Sequence, residues 1–240
     1  MMATSLATRR IEAELLDSLP ADDPRAIRSR RDLALINALM FQAAIMAGFL
    51  RAQIPAGRAR ILEIGCGDGS FMLSVARRLR HSAADVDLVL LDRVDLVAAP
   101  RVAAFAALGW RVETVTGDVF AFVDKPGIGG FDIVSANLFL HHFPDCALQT
   151  LFQSLRRLAP AVVATEPRRT RIAVWATALL RAIGANAVSR HDAAASVRAG
   201  FCGRELSGLW PRDCADRIEE RGIGPFTHIF CVTRAGEQGS

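Results

Sequence analysis

The sequence predicts an α/β protein built on a doubly wound, seven-stranded sheet. From residue 60 onward, short apolar runs rich in β-formers alternate with longer segments that suit helices, and this alternation is typical of βαβ units. Strands with continuous apolar runs are expected in a parallel sheet covered on both faces. The predicted strands are 60–64, 86–91, 111–116, 131–136 and 161–165, and the helical segments lie near 70–80, 96–108, 146–158 and 170–183.

The two ends of the chain follow different patterns. Near the C-terminus, two strand-like runs, Arg217–Glu220 and Phe226–Thr233, flank a turn that contains two glycines and a proline, which predicts an antiparallel hairpin at the sheet edge. At the N-terminus, two aspartates and Pro24 indicate a helix start, and the helical region runs to about Arg51. We therefore expect a helical cap over residues 1–55 and a ligand-binding sheet domain over residues 56–240.

The uncharged stretch Leu33–Leu50 is a candidate membrane span. It contains Asn37, Gln42 and Gly48, and it is shorter than the ~20 mainly apolar residues that a span requires. A cap helix is therefore expected, with no integral membrane segment and at most weak association with a membrane surface.

Charge and cysteine content argue against a nucleic-acid-binding, metal-binding or disulfide-rich protein. The net charge of +4 is modest and the arginines are scattered, which argues against a nucleic-acid partner. The five cysteines are odd in number and form no C-x-x-C pair, so neither a metal site nor a disulfide framework is expected. The N-terminus lacks the apolar core of a secretory signal. A cytoplasmic protein is predicted, as a monomer or homodimer.

The most informative segment runs from Ile61 to Gly69, where an apolar run ends at Glu63 and three glycines follow at alternate positions. Glycine leaves loop amides uncovered, so a small ligand can approach the backbone closely. A dinucleotide fingerprint requires G-x-G-x-x-G, and Ser70 stands where its third glycine would fall. Glu63 is unfavourable beside a pyrophosphate and suits a cationic or zwitterionic ligand.

Acidic residues follow the next two predicted strands. Asp92 and Arg93 end the second strand, and Gly117, Asp118 and Val119 follow the third. Ligands of such sheets bind beyond the carboxyl ends of the strands, where a carboxylate can accept both hydroxyls of a ribose.

The glycine segment resembles motif I of class I S-adenosylmethionine-dependent methyltransferases, a family with a Rossmann-like fold. The resemblance implies S-adenosyl-L-methionine as the cofactor. It also implies that Asp118 accepts the adenine amino group, while the amide of Val119 meets a ring nitrogen. The predicted cofactor-binding residues are Glu63, Gly65, Cys66, Gly67, Gly69, Asp92, Arg93, Gly117, Asp118, Val119 and Asn137.

The segment after the fourth strand, Asn137–Pro144, is expected to face the methyl acceptor. It lacks the N-P-P-[YF] tetrapeptide of enzymes that methylate base amines, and it resembles the small-molecule branch of the family, which acts on natural products and quinones. Histidine is well tuned to accept a proton near neutral pH, so His141 and His142 are the predicted catalytic bases. His191 is the third choice, beside Asp192, which is expected to cap the following helix.

These patterns together predict O-methylation of a small, largely apolar metabolite that carries a phenolic or polyketide-type hydroxyl. Alternatives are C-methylation of a quinone-like ring, methylation of RNA or protein, and cofactor binding without catalysis. The aromatic residues considered for the acceptor pocket are Phe139, Phe143, Trp175, Phe201 and Trp210.

Overall fold

The computed structural model describes residues 6–55, 57–82 and 85–234. The predicted boundary residue Ala56 and the outermost residues of both predicted domains lie outside these ranges. The strands are β1 (Arg58–Ile64), β2 (Asp85–Asp92), β3 (Trp110–Thr116), β4 (Ile133–Asn137), β5 (Ala161–Pro167), β6 (Asp216–Ile223) and β7 (Thr227–Arg234). The helices are α1 (Leu15–Ser18), α2 (Pro24–Leu39), α3 (Gln42–Gln53), α4 (Ser70–Leu79), α5 (Ala99–Ala106), α6 (Val119–Val123), α7 (Asp145–Leu158), α8 (Arg171–Leu179), α9 (Ala187–Ala199) and α10 (Glu205–Leu209).

All seven strands form one sheet in the order β3-β2-β1-β4-β5-β7-β6. The first five are parallel, whereas β7 runs antiparallel between β5 and β6. The predicted fold class is therefore confirmed, including the antiparallel edge hairpin. The strand order reverses at β1, so the carboxyl ends of β1 and β4 flank the crevice where such sheets bind ligands.

Helices cover both faces of the sheet. Adjacent residues of a strand point to opposite faces, so each inner strand contributes side chains to both buried clusters. On one face Ile61 of β1 packs in a buried cluster with Phe105 of α5. On the other face Leu62 packs in a cluster with Leu151 of α7 and Phe122 of α6. The near-continuous apolar runs in the sequence reflect this double coverage.

The long helical region predicted before the sheet is interrupted. Phe41 has a φ of 55°, in the left-handed region, and it separates α2 from α3 at a bend of 65°. No glycine or proline marks this break in the sequence. Among the described residues no individual helix has the length and hydropathy of a membrane span; α2 and α3 reach them only as a bent pair.

The cap is held over the carboxyl edge of the sheet by contacts with α9. Both carboxylate oxygens of Asp192 accept hydrogen bonds from backbone N–H groups of α1, from Leu15 at 2.8 Å and from Leu16 at 3.0 Å. The hydroxyl of Ser189 donates to Asp32 of α2 at 2.7 Å. Asp192 thus caps a distant helix, and Asn186, rather than Asp192, caps α9 itself. The cap therefore includes α9, which follows β5 in the chain, in addition to the first 55 residues.

Candidate active site

The glycine loop joins β1 to α4 at the carboxyl edge of the sheet. Gly65, Gly67 and Gly69 have φ values of 69°, 54° and 74°, which side chains other than glycine rarely adopt. A Cβ on Gly65 would lie 2.1 Å from the ring of Phe139, whereas a Cβ on Gly67 would project into open space. Gly69 faces Leu90 and begins α4. Gly67 is therefore the position where a ligand has free access to the backbone.

Asp92 ties the glycine loop to the tips of two further strands. Its Oδ2 accepts a hydrogen bond from the backbone N–H of Gly67 at 2.8 Å, and its Oδ1 accepts one from Val94 at 3.1 Å. Its carbonyl accepts the N–H of Gly117 at 2.8 Å. The predicted residues after β1, β2 and β3 therefore meet at one place.

Glu63 is buried at the end of β1. Burial raises the pKa of its carboxyl group to about 8, although the hydroxyl of Ser135, which donates to Oε2, favours the charged form. Burial also raises the pKa of the Cys66 thiol, with the charges of Asp92 and Glu63 adding to the effect. The free site therefore holds a neutral carboxyl group that a cationic ligand would ionise.

A cavity of about 400 Å³ with both polar and apolar lining opens in front of this loop, and we call it the glycine-loop cavity. Asn137 lies at its floor, where Oδ1 accepts a hydrogen bond from the hydroxyl of Thr165 at 2.8 Å. Two residues of α2 that sequence reasoning missed, Arg30 and Asn37, also line it. The buried Oδ1 of Asn37 has no hydrogen-bond partner within the described part of the chain. The predicted cofactor residues that line this cavity are Glu63, Gly65, Cys66, Gly67, Asp92, Arg93 and Asn137.

A second cavity of about 330 Å³ lies beyond Asp92, and we call it the Asp118 cavity. Gly117, Asp118 and Val119, the residues predicted to contact the nucleoside, line it. Asp118 also caps α6, since its Oδ1 accepts the backbone N–H of Ala121 at 3.1 Å. The N-terminal segment from Ile11 to Glu14 forms the opposite wall.

A third cavity of about 310 Å³ is mostly apolar and lies between α2, α8 and α9. We call it the apolar cavity. It shares Leu16, Leu33 and Leu138 with the glycine-loop cavity, so the two spaces adjoin. The five aromatic residues considered for an acceptor pocket lie elsewhere: Phe139 and Phe143 in the Asp118 cavity, Trp175 on the surface, and Phe201 and Trp210 in the core.

His141 is buried between two carboxylates. Glu166 accepts the backbone N–H groups of Phe139, at 3.0 Å, and Leu140, at 2.8 Å, and its Oε2 lies 2.7 Å from Nδ1 of His141. Nε2 of His141 lies 3.4 Å from Oε1 of Glu14. Burial opposes the charged form of His141, but the hydrogen bonds to Glu14 and Glu166 outweigh it and raise the pKa to about 9. At neutral pH this ring is therefore protonated.

The other two predicted histidines occupy different surroundings. The ring of His142 lies 4.3 Å from that of His141 and lines the Asp118 cavity; burial and the charge of His141 lower its pKa. His191 is partly exposed, with Nδ1 3.0 Å from Oδ1 of Asp192, and it lines none of the three cavities. The structure thus groups His141 with His142 and leaves His191 apart.

Glu14 is the acceptor-side residue that sequence reasoning missed. It lines both the apolar cavity and the Asp118 cavity, and its Oε1 accepts a hydrogen bond from the hydroxyl of Ser196. Burial would raise its pKa, but the contacts with His141, His142 and Ser196 outweigh burial and lower it. Glu14 is therefore ionised at neutral pH. Glu14, His141 and His142 also place one potential metal-ligand atom each within 4.8 Å of one another.

Comparison with known proteins indicates the class of enzyme to which this region belongs. Residues 61–160, which hold the glycine loop, Asp92, Asp118 and both adjacent histidines, match the family described as "Methyltransferase domain". By that match, this region of the chain is a methyltransferase domain. The match indicates S-adenosylmethionine as the cofactor.

Curated relatives share part of the sequence, and solved structures share the fold. Uncharacterized methyltransferases of Mycobacterium tuberculosis and Mycobacterium bovis are 34% identical over 98 residues, which make up 40% of this chain and 44% of theirs. The match thus spans less than half the length of these relatives. An O-methyltransferase family protein from Burkholderia thailandensis shares the fold with a TM-score of 0.63 at 19% identity, covering 97% of this chain and 67% of that one. The pyocyanin biosynthetic protein PhzM gives a TM-score of 0.56 at 20% identity, with 93% and 62% covered.

Proposed function

We propose that this methyltransferase domain transfers a methyl group to a hydroxyl of a small, largely apolar acceptor, with a phenolic or polyketide-type compound as the first choice. The observation that carries the proposal is the shared wall of the glycine-loop cavity and the apolar cavity. Leu16, Leu33 and Leu138 belong to both, so a donor in the first and an acceptor in the second would adjoin. Proximity of this kind supplies much of the rate of a displacement reaction.

The residues around the glycine-loop cavity fit the amino-acid part of the cofactor. Glu63 and the unpaired Oδ1 of Asn37 are acceptors suited to an ammonium group, and the guanidinium of Arg30 suits a carboxylate. Asp92 suits the ribose hydroxyls, and Asp118 suits the adenine amino group. When bound, S-adenosylmethionine supplies a methyl group activated by its sulfonium charge.

On the acceptor side we propose that Glu14 accepts the proton of the acceptor hydroxyl. Glu14 is ionised and lines the apolar cavity, whereas His141 is buried, protonated and lines none of the three cavities. His141 is therefore assigned a positioning role: together with Ser196 it fixes the orientation of the Glu14 carboxylate. His142 adjoins the nucleoside side, and His191 has no role in this arrangement.

Isotope-labelled S-adenosylmethionine, incubated with a panel of phenolic and polyketide-type compounds, tests the proposed reaction. We expect a labelled O-methyl product, identified by NMR. Methylation at ring carbon would instead favour the quinone-type alternative. Tight cofactor binding without any labelled product would favour a non-catalytic binding protein.

The variant Glu14→Gln tests the proposed base. We expect kcat to fall by about 10²-fold or more, the range for loss of a general base, with a much smaller change in cofactor affinity. Glu113→Gln, at an exposed position on β3, is the matched control and should behave as the parent chain. Normal turnover by Glu14→Gln would place the base elsewhere, with His142 as the next residue to test.

A further inference from the structure

The rim of the apolar cavity is itself apolar and exposed. Three residues of its lining, Leu39, Leu179 and Ile183, are exposed. Leu35 of α2 and Ile172 and Trp175 of α8 are exposed on the same two helices as Leu39 and Leu179, and we call the six residues together the apolar collar. The exposed fraction is 78% for Trp175, 68% for Leu179, 63% for Ile172 and 58% for Leu39. Side chains of this size are rarely left so open together on a soluble surface without an interaction to cover them.

Half of the collar lies at the opening of the cavity. Leu39, Leu179 and Ile183 line the apolar cavity and are also exposed, so they lie at its mouth. Trp175 and Ile172 lie one and two turns before Leu179, and their spacing places all three on one face of α8. Hydrogen bonds hold the two sides of the mouth together, from Arg28 to the carbonyl of Gly184 at 2.9 Å and from the N–H of Asn186 to Asp32 at 2.8 Å.

The surroundings of the collar are positively charged. Arg171 precedes Ile172, Arg181 lies between Leu179 and Ile183, and Arg31 stands one turn before Leu35 on α2. All three are exposed, and none forms an ion pair within the described part of the chain. The segment 167–191 contains no aspartate or glutamate.

We propose that the apolar collar docks onto the surface of an anionic lipid bilayer. A short helix with an exposed apolar face, a tryptophan and flanking arginines has the composition of an interfacial helix, in which apolar burial and attraction to anionic headgroups act together. A second copy of the chain seated on the collar would close the cavity mouth. A bilayer instead leaves the mouth open to an apolar medium. The delivery of an acceptor from the membrane rests on the proposed function, but the docking itself does not.

Flotation of the purified chain with lipid vesicles tests the docking. We expect the chain to float with vesicles of mixed phosphatidylcholine and phosphatidylglycerol, to float much less with phosphatidylcholine alone, and to dissociate as salt is raised. The double variant Trp175→Ala/Leu179→Ser should weaken vesicle binding at least tenfold. Arg171→Gln/Arg181→Gln should remove the preference for anionic lipid, and Arg77→Gln/Arg204→Gln, away from the collar, is the charge-matched control.

Cofactor affinity, measured by calorimetry for every variant, shows that each has folded and separates the two proposals. If the chain binds vesicles and cofactor but methylates no acceptor, the docking proposal is supported and the proposed function is refuted. Absence of binding to anionic vesicles, or binding that the collar variants leave unchanged, overturns the docking proposal. So does a dimer in analytical ultracentrifugation that Trp175→Ala/Leu179→Ser converts to a monomer, because the collar would then be a subunit interface.

Discussion

The carboxylate of Asp92 accepts a hydrogen bond from the backbone N–H of Gly67 at 2.8 Å. This contact joins the end of β2 to the loop that follows β1, so the two predicted parts of the cofactor site hold each other in position before any ligand arrives. Preorganisation of this kind lowers the entropic cost of binding.

Replacement of Asp92 by alanine should remove both the tie to the loop and the acceptor proposed for the ribose hydroxyls. We expect cofactor affinity to fall by at least 10²-fold in calorimetric titration. Asp95→Ala is the matched control, since Asp95 is exposed and lines none of the three cavities. Equal affinity of Asp92→Ala and the parent chain would refute the site assignment.

Alanine at Gly65 and at Gly67 should have different effects. Both substitutions impose a left-handed conformation at a cost of about 1–2 kcal/mol. Only at Gly65 would the new Cβ also collide with the ring of Phe139. We therefore expect Gly65→Ala to lower Tm further than Gly67→Ala, and Gly67→Ala to fold but bind the cofactor at least tenfold more weakly. Thermal melts and titrations measure the two effects separately; the same Tm for both variants would contradict the argument.

Glu63 should release a proton when the cofactor binds. Its pKa of about 8 keeps it protonated at pH 7, and pairing with an ammonium group favours the ionised form. Calorimetry at pH 7 in buffers of different ionisation enthalpy should show release of nearly one proton, and Glu63→Gln should show none. In the free protein the raised pKa stabilises the fold below the ordinary carboxyl pKa of 4.5, and this contribution is lost as the pH rises through about 8.

Glu166→Gln should lower both the pKa of His141 and the stability of the chain. The carboxylate accepts backbone N–H groups of the segment after β4 as well as Nδ1 of His141. Loss of hydrogen bonds to a buried charged group costs about 1.5–3 kcal/mol each. NMR titration should place the His141 pKa below 9 in the variant, and a thermal melt should show a lower Tm. An unchanged titration would mean that Glu14 alone keeps His141 charged.

A chelator should leave activity intact, despite the proximity of Glu14, His141 and His142. A metal ion would have to displace a proton from His141 at neutral pH, and the raised pKa of His141 lowers the affinity for the metal accordingly. Activity after dialysis against EDTA should equal the starting activity, and added Zn²⁺ should not increase it. Loss of activity on dialysis that Zn²⁺ restores would identify a metal centre instead.

The sequence was sufficient for those parts of the site that depend on contiguous segments. The placement of Glu63, Asp92 and Asp118 at one edge could be predicted because they lie at or just after the carboxyl ends of β1, β2 and β3, and parallel strands bring these ends together. The acceptor side could not be predicted in this way. Glu14 contacts His141 and Ser196, which lie 127 and 182 positions away along the chain. No local pattern records a contact of that range.

The interruption at Phe41 and the role of Asp192 were missed for related reasons. Phe41 adopts a left-handed conformation without the glycine or proline that usually announces one. Asp192 stood in a context typical of a helix cap, but its carboxylate caps α1 rather than its own helix. Tertiary packing determines both features. The pattern of a single sequence indicates which face of a helix or strand is buried, but not which residues contact that face.

The hold of Asp192 on Leu15 and Leu16 has a kinetic consequence. The N-terminal segment forms a wall of all three cavities, so we expect the spent cofactor to leave faster when this segment lifts away. The two hydrogen bonds to the Asp192 carboxylate would then break and re-form in each catalytic cycle. We expect the opening of this segment, rather than the methyl displacement, to set the steady-state rate, with a burst of product in the first turnover as its signature.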